Sequence, residues 1–287
     1  MKKNTAFKKP ISRRIAEVIM FIILFAFCAS YVYILLWGAV MGCMKHSQVE
    51  TKPFEFPKVW QFRNYIDAFQ MLEVNGTNMM EMIGNSLWLT IGGAFLDVFC
   101  SLMLAYACAK FRFFGRNVLH GTSLVIMTLP IIGAGSAMYR LIYTLNLNDS
   151  MLYLVTFCSG FGSQYIILYG FMQNLSWTYA EAAYLDGASE AQVFFKVMIP
   201  MCISPICALA VLRAIGIWND YNTSLLYLQK LPTLATGLYI FKSQMIYKVR
   251  MDILLAASIL SIIPVLILFL IFNKTLLDLD LGGGLKG

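Results

Sequence analysis

Residues 18–40 read VIMFIILFAFCASYVYILLWGAV, and these 23 positions carry no charge. A helix needs about 20 apolar residues to cross a bilayer, so this stretch alone is long enough. Six basic residues precede it: Lys2, Lys3, Lys8, Lys9, Arg13 and Arg14. The apolar run is too long for the core of a secretory leader, and no clear small-x-small cleavage site follows it. It is expected to remain as a first span.

The rest of the chain agrees. Of its 287 residues, 59% are hydrophobic and only 13% charged, against roughly a quarter charged in soluble domains. An ordinary soluble enzyme and a disordered chain are both excluded. Further apolar segments fall at about 85–109, 122–143, 152–172, 201–226 and 253–272. The third is interrupted by Pro130, Gly133 and Gly135. The expectation is an all-α integral membrane protein with six transmembrane helices. Residues 1–14 form a basic tail, 15–43 the first span, 44–84 a segment on the far side, 85–275 the remaining five spans and 276–287 a tail. Six spans place both termini on one side, and that side holds twelve Lys or Arg against eight on the other. The N-terminal cluster decides the orientation: termini in the cytoplasm. The net charge of +7 therefore reads as topology rather than as a nucleic-acid footprint. Seven cysteines at spacings unlike metal ligands read as packed free thiols.

The informative polar stretch is Ser176–Pro200, SWTYAEAAYLDGASEAQVFFKVMIP. Thr178 stands three residues before Glu181, and Ser189 three before Gln192, the spacing of two capping boxes. Gly187 stands where a helix would close in a left-handed turn. Two short helices are expected, about 179–186 and 190–198, joined by a tight turn. A DNA-binding helix-turn-helix fails on charge: Glu181, Asp186 and Glu190 oppose a single Lys196, so no phosphate footprint exists. A protruding elbow with small residues on one face suits a groove on a protein partner.

Glu181-Ala-Ala183, then Gly187, then Val197-Met-Ile-Pro200 resembles the EAA loop of binding-protein-dependent ABC importer permeases. Asp186-Gly-Ala-Ser189, Trp218-Asn-Asp220, Asn85-Ser86, Ala105-Tyr-Ala107 and Phe111-Arg-Phe113 resemble the carbohydrate branch, the MalG-like permeases. The resemblance covers nearly the whole chain. It implies a type I importer bundle with a cytoplasmic coupling helix in the loop 174–200. It also implies a second homologous permease, two ATPase subunits and an extracytoplasmic solute-binding protein as partners, in a bacterial plasma membrane, with a sugar as substrate. Glu181, Ala182, Ala183, Asp186, Gly187 and Ala188 would form the surface that docks on an ATPase. Glu181 acting only as a helix cap is the alternative.

No G-x-x-x-x-G-K-[ST] phosphate loop occurs, so no ATP site of this kind is expected in the chain itself. No catalytic set, metal site, cofactor or nucleic-acid partner is expected; membrane lipid is. Charges inside spans are costly and often functional. Asp97 and Arg213 both fall near mid-membrane, either paired within the bundle or separately facing a water-filled cavity. Trp218, Asn219 and Asp220 have the composition of a sugar path, or of a helix contact with an interfacial Trp. An ion-coupled secondary carrier, an intramembrane enzyme and a same-family permease for a non-sugar solute remain as alternatives. The EAA-like loop argues against the first, and the lack of a paired catalytic set against the second.

Overall fold

A computed structural model describes the backbone of residues 11–128, 134–244 and 250–282. Pro130 and Gly133, expected to interrupt the third span, lie outside the described residues. The elements are helical except for one two-residue hairpin, Glu73–Val74 with Thr77–Asn78. Asn75 and Gly76 take φ of +53° and +80° there, as an Asn-Gly hairpin turn requires. The chain divides into two units, residues 1–68 with 248–260, and residues 69–247 with 261–287.

In the first unit, α1 (Ile11–Gly42) exposes its apolar side chains from Ile15 to Leu36. Its C-terminal carbonyls have no helical partners, and the chain beyond supplies them. Buried Asn64 donates its amide to the carbonyls of Gly42 and Met44, at 2.9 and 2.8 Å. Tyr65 donates its hydroxyl to Ala39 O at 3.0 Å. Burial lifts the Tyr65 phenol to about 12. Two short helices, α2 (His46–Thr51) and α3 (Arg63–Met71), follow. Met41, Met44 and Val49 form a small core.

The second unit is organised by α4 (Met79–Lys110). It starts six residues before the expected second span. Asn78 and Glu81 form a capping box, each side chain answering the other's backbone N–H at 3.0 Å, and this fixes the start. One face of α4 is buried at helical spacing: Met82, Ser86, Leu89, Ala94, Asp97, Ser101, Leu102 and Ala105. The many small side chains in that stripe permit close helix contact inside a membrane. Against α4 pack α7 (Ser163–Asn174), α11 (Ile203–Trp218) and a 3-10 turn, Met151–Phe157.

Two expected spans, the fourth and the fifth, are not continuous helices, and the third is described only on either side of residues 129–133. The third is represented by α5 (Arg116–Thr128) and α6 (Ala134–Thr144). The fourth divides between the 3-10 turn and α7, because Gly160 and Gly162 take φ of +68° and +122°, angles open mainly to glycine. The fifth ends at Trp218 and restarts as α12 (Tyr221–Tyr227). A further helix, α13 (Leu234–Gln244), precedes the last, α14 (Met251–Gly282). Among the described residues three helices are long and apolar enough to cross a membrane, 13–42, 79–110 and 251–274. Residues 190–201 and 203–218, bent by 76°, make a fourth if taken as one span.

Candidate functional site

The stretch 176–200 folds as two helices meeting at an elbow. The first is α8 (Thr178–Leu185). The expected Thr178–Glu181 capping box is not formed, because the helix begins one residue earlier than that box needs, after Trp177. Ser176 takes the role instead: its Oγ accepts from Thr178 N at 3.3 Å and donates to Thr178 Oγ1 at 2.9 Å. Glu181 is left without a capping role.

The end of α8 is closed by paired backbone bonds. Ala188 N donates to Ala183 O and Gly187 N to Tyr184 O, both at 3.0 Å, with Gly187 at φ +81°. This is the Schellman arrangement, which wants glycine at its left-handed position. Ser189 then opens α9 (Glu190–Val193) with a complete capping box, its N–H donating to Gln192 Oε1 at 2.8 Å. A side-chain strap crosses the turn, Tyr184 Oη donating to Glu190 Oε2 at 2.6 Å. Burial and the Glu190 carboxylate hold the Tyr184 phenol well above its ordinary value, so it stays a donor. A π-helical turn, Phe194–Met198, and the short α10 (Ile199–Met201) lead to the bend before α11. Pro200 has no N–H to continue the helical ladder.

One side of the elbow is anchored. Ala180, Val193, Phe194 and Met198 are buried with Ala105, Tyr106, Tyr165, Leu168 and Met172. Lys110 Nζ donates to Leu175 O at 2.6 Å, placing a cation on the last carbonyls of α7, where the helix dipole favours it. The other side is bare. Glu181, Ala182, Leu185, Asp186 and Gly187 are exposed, and Leu185 keeps 89% of its surface. The Glu181 carboxylate makes no hydrogen bond or ion pair among the described residues, while its N–H donates to Trp177 O at 3.0 Å. The elbow thus presents an apolar knob, small backbone-close positions and two carboxylates on a fixed frame. Its chemistry suits a protein groove with cationic walls.

Asp97 and Arg213 meet inside the bundle. Arg213 Nε lies 2.5 Å from Asp97 Oδ2. The Nε–H is not aligned for a hydrogen bond, so the contact is an ion pair rather than a directed bond. The guanidinium also sits 5.6 Å from the centre of the Phe157 ring. Asp97 is buried, whereas the Arg213 side chain remains 36% exposed.

Trp218, Asn219 and Asp220 fall at the break between α11 and α12. Trp218 is buried and donates its indole N–H to Ser261 O at 3.1 Å. Asn219 donates its side-chain amide to Ile215 O at 2.8 Å. Asp220 caps α12, accepting from Asn222 N at 2.9 Å and from the Thr223 hydroxyl at 2.5 Å. Each of the three thus makes a side-chain hydrogen bond within the chain; the Trp218 indole is buried, while Asn219 remains exposed.

Residues 98–278 match the family described as binding-protein-dependent transport system inner membrane component. The chain belongs to this family. The matched residues of this permease include the elbow, Arg213 and the α11–α12 break. Among its relatives is the arabinooligosaccharides transport system permease protein AraQ of Bacillus subtilis, 28% identical over 96% of each chain. AraQ of Halalkalibacterium halodurans is 30% identical over 71% of this chain and 73% of its own. The diacetylchitobiose uptake system permease protein NgcG of Streptomyces coelicolor is 26% identical over 84% of this chain and 79% of its own. The fold matches a chain in the crystal structure of a bacterial ABC transporter involved in the import of the acidic polysaccharide alginate. That match has a TM-score of 0.76 at 22% identity and covers 93% of this chain and 98% of the other. The permease is a multi-pass membrane protein and a transmembrane subunit of an ABC importer. An ion-coupled carrier is set aside by the same family match.

Sequence reasoning passed over several partners. His46 lies 3.3 Å from Asp252 and 3.4 Å from Glu50, and Arg250 clamps the same Asp252 at 2.9 and 3.1 Å. The Arg250-x-Asp252 spacing opening an apolar run was the available signal. Tyr184 and Glu190 carried none, since their pairing depends on the turn at Gly187.

Proposed function

We propose that this permease imports a carbohydrate, forming half of the translocation pathway beside a second homologous permease. Two ATPase subunits on the cytoplasmic side hydrolyse ATP, and a solute-binding protein delivers the sugar on the other side. The chain lies in a bacterial plasma membrane with both termini in the cytoplasm. The elbow built from Glu181, Ala182, Ala183, Asp186, Gly187 and Ala188 seats in a cleft of an ATPase and passes its movement to the spans. The observation that carries the reading is the bare face of an otherwise pinned elbow: Leu185, Glu181 and Asp186 are offered outward from a rigid frame.

The sugar assignment is supported by the names of the relatives, two arabinooligosaccharide permeases and a diacetylchitobiose permease. The Asp97–Arg213 pair is proposed to hold α4 to α11 during transport. Because Trp218, Asn219 and Asp220 are engaged internally, their role in the sugar path is proposed as shaping the break between α11 and α12. Direct stacking on the sugar is not needed for it.

The test is uptake of labelled oligosaccharides by cells with and without this gene. Loss of uptake for one sugar class, restored by the wild-type gene but not by Glu181→Ala, is the expected result. Unchanged uptake of every sugar, with loss of uptake of an amino acid or phosphate, would move the substrate out of the carbohydrate class.

A further inference from the structure

At the C-terminal end of α1 an apolar slot and a cationic pocket lie side by side. The slot has a volume of about 380 Å³ and is floored by Tyr33, Trp37, Val40 and Met44. Tyr33, Trp37 and Val40 form one stripe down the helix and Met44 lies just past its end, so the slot runs along the last turns of the first span. From Tyr33 to Val40 the stripe is about 10 Å long at 1.5 Å per residue, within the depth of one leaflet. One leaflet's hydrocarbon is about 15 Å deep, half of the bilayer core. The opposite wall is the loop 53–56. Phe54 stacks on Trp37 with ring centres 5.7 Å apart.

Several of the loop's backbone groups are satisfied from within. Trp37 donates its indole N–H to Pro53 O at 3.2 Å. Gln48 donates to Phe56 O at 2.9 Å and accepts from Lys58 N at 3.1 Å. The slot's walls are mainly apolar, and their one charged member, Glu55, is tied to Lys52, which suits hydrocarbon better than a peptide segment. Phe54 and Phe56 on its wall remain exposed, as do Trp60 and Phe62 further along the chain, in the manner of residues at a membrane–water boundary.

Beside the slot, Lys45, Lys52 and Lys58 line a pocket with Ser47, Gln48 and Thr51. Lys52 is taken by Glu55 at 2.5 Å, and its ammonium holds the Glu55 carboxyl below the usual range. Lys45 and Lys58 have no ion-pair partner among the described residues.

We propose that this end of the first span binds an anionic phospholipid, with one acyl chain in the Trp37 slot and the phosphate head between Lys45 and Lys58. A slot along the end of the span, with the exposed ammonium groups of Lys45 and Lys58 beside it, matches the charge and shape of such a lipid. The proposal needs only that α1 crosses the membrane, and it is independent of the sugar.

The test is native mass spectrometry of the full chain in mild detergent, titrated with phosphatidylglycerol or with phosphatidylcholine of the same acyl chains. The expected result is a preference for phosphatidylglycerol of about tenfold. In Lys45→Gln/Lys58→Gln both lipids are expected to bind alike, and in Val40→Trp, which fills the slot, neither is retained. Free glycerophosphate in excess is expected not to displace the lipid. Both lysines are exposed, so their double variant leaves the fold intact, which its thermal unfolding checks. Equal binding of the two lipids to the wild type, or an undiminished preference in the double variant, overturns the proposal. So does photo-crosslinking from position 54 in native membranes if it captures another protein chain instead of lipid.

Discussion

Arg213 on α11 places its Nε 2.5 Å from Asp97 Oδ2 on α4, and the two ends of this pair differ in exposure. The carboxylate is buried, while the guanidinium is partly open and rests near Phe157. Removing one partner of a buried ion pair strands the other, and the penalty follows the burial of what is left. Arg213→Gln strands a buried carboxylate and is expected to lower stability by about 3 kcal/mol. Asp97→Asn strands a half-open cation, and about 1 kcal/mol is expected. Thermal unfolding of the two purified variants checks the order. Equal losses would mean that the exposure of Arg213 does not govern the pair.

Gly187 sits at φ +81°, where a side chain costs about 1–2 kcal/mol. Gly187→Ala is expected to open the Schellman turn and weaken coupling while leaving expression in the membrane near normal. The measurement is sugar-stimulated ATP hydrolysis by the reconstituted importer. Full stimulation in this variant would show that the angle at the elbow does not matter.

The Tyr184–Glu190 strap holds α8 to α9 through a charge-assisted bond at 2.6 Å. Tyr184→Phe is expected to lose about 1 kcal/mol of local stability, discounted for its partial exposure. Faster hydrogen exchange confined to amides 184–192 is the expected readout. Exchange unchanged in that window would show that the backbone bonds hold the turn alone.

Tyr65 has its phenol raised to about 12 by burial, against about 10 when free. The neutral phenol is thus favoured by the fold, and its contribution is complete below pH 10 and disappears as the pH rises from 10 to 12. Tyr65→Phe is expected to flatten the alkaline fall in stability over that window. A wild-type profile already flat there would contradict the burial of the Tyr65 phenol.

The membrane class, the first span and the elbow were legible because each depends on local pattern. Residues 18–40 are apolar without interruption, and Ser189–Gln192 and Gly187 carry capping and turn chemistry within a few residues. What was not legible depends on contacts distant in sequence or on choices between neighbours. Ser176 displaced Thr178 as the side chain that meets the first N–H of α8, because the helix starts at Thr178 rather than after it. The fourth and fifth spans read as unbroken because hydropathy does not register Gly160, Gly162 or the cap formed by Asp220. The engagement of Trp218 with Ser261 joins positions 43 residues apart, which no local pattern encodes.

The most direct test of the account is to purify the tagged permease from its native host in mild detergent and identify its companions by mass spectrometry, beside the Glu181→Ala form. The account predicts a second permease and an ATPase with the wild type, and loss of the ATPase alone from the variant. A wild-type chain that purifies by itself or only with copies of itself, indistinguishable from Glu181→Ala, would contradict it.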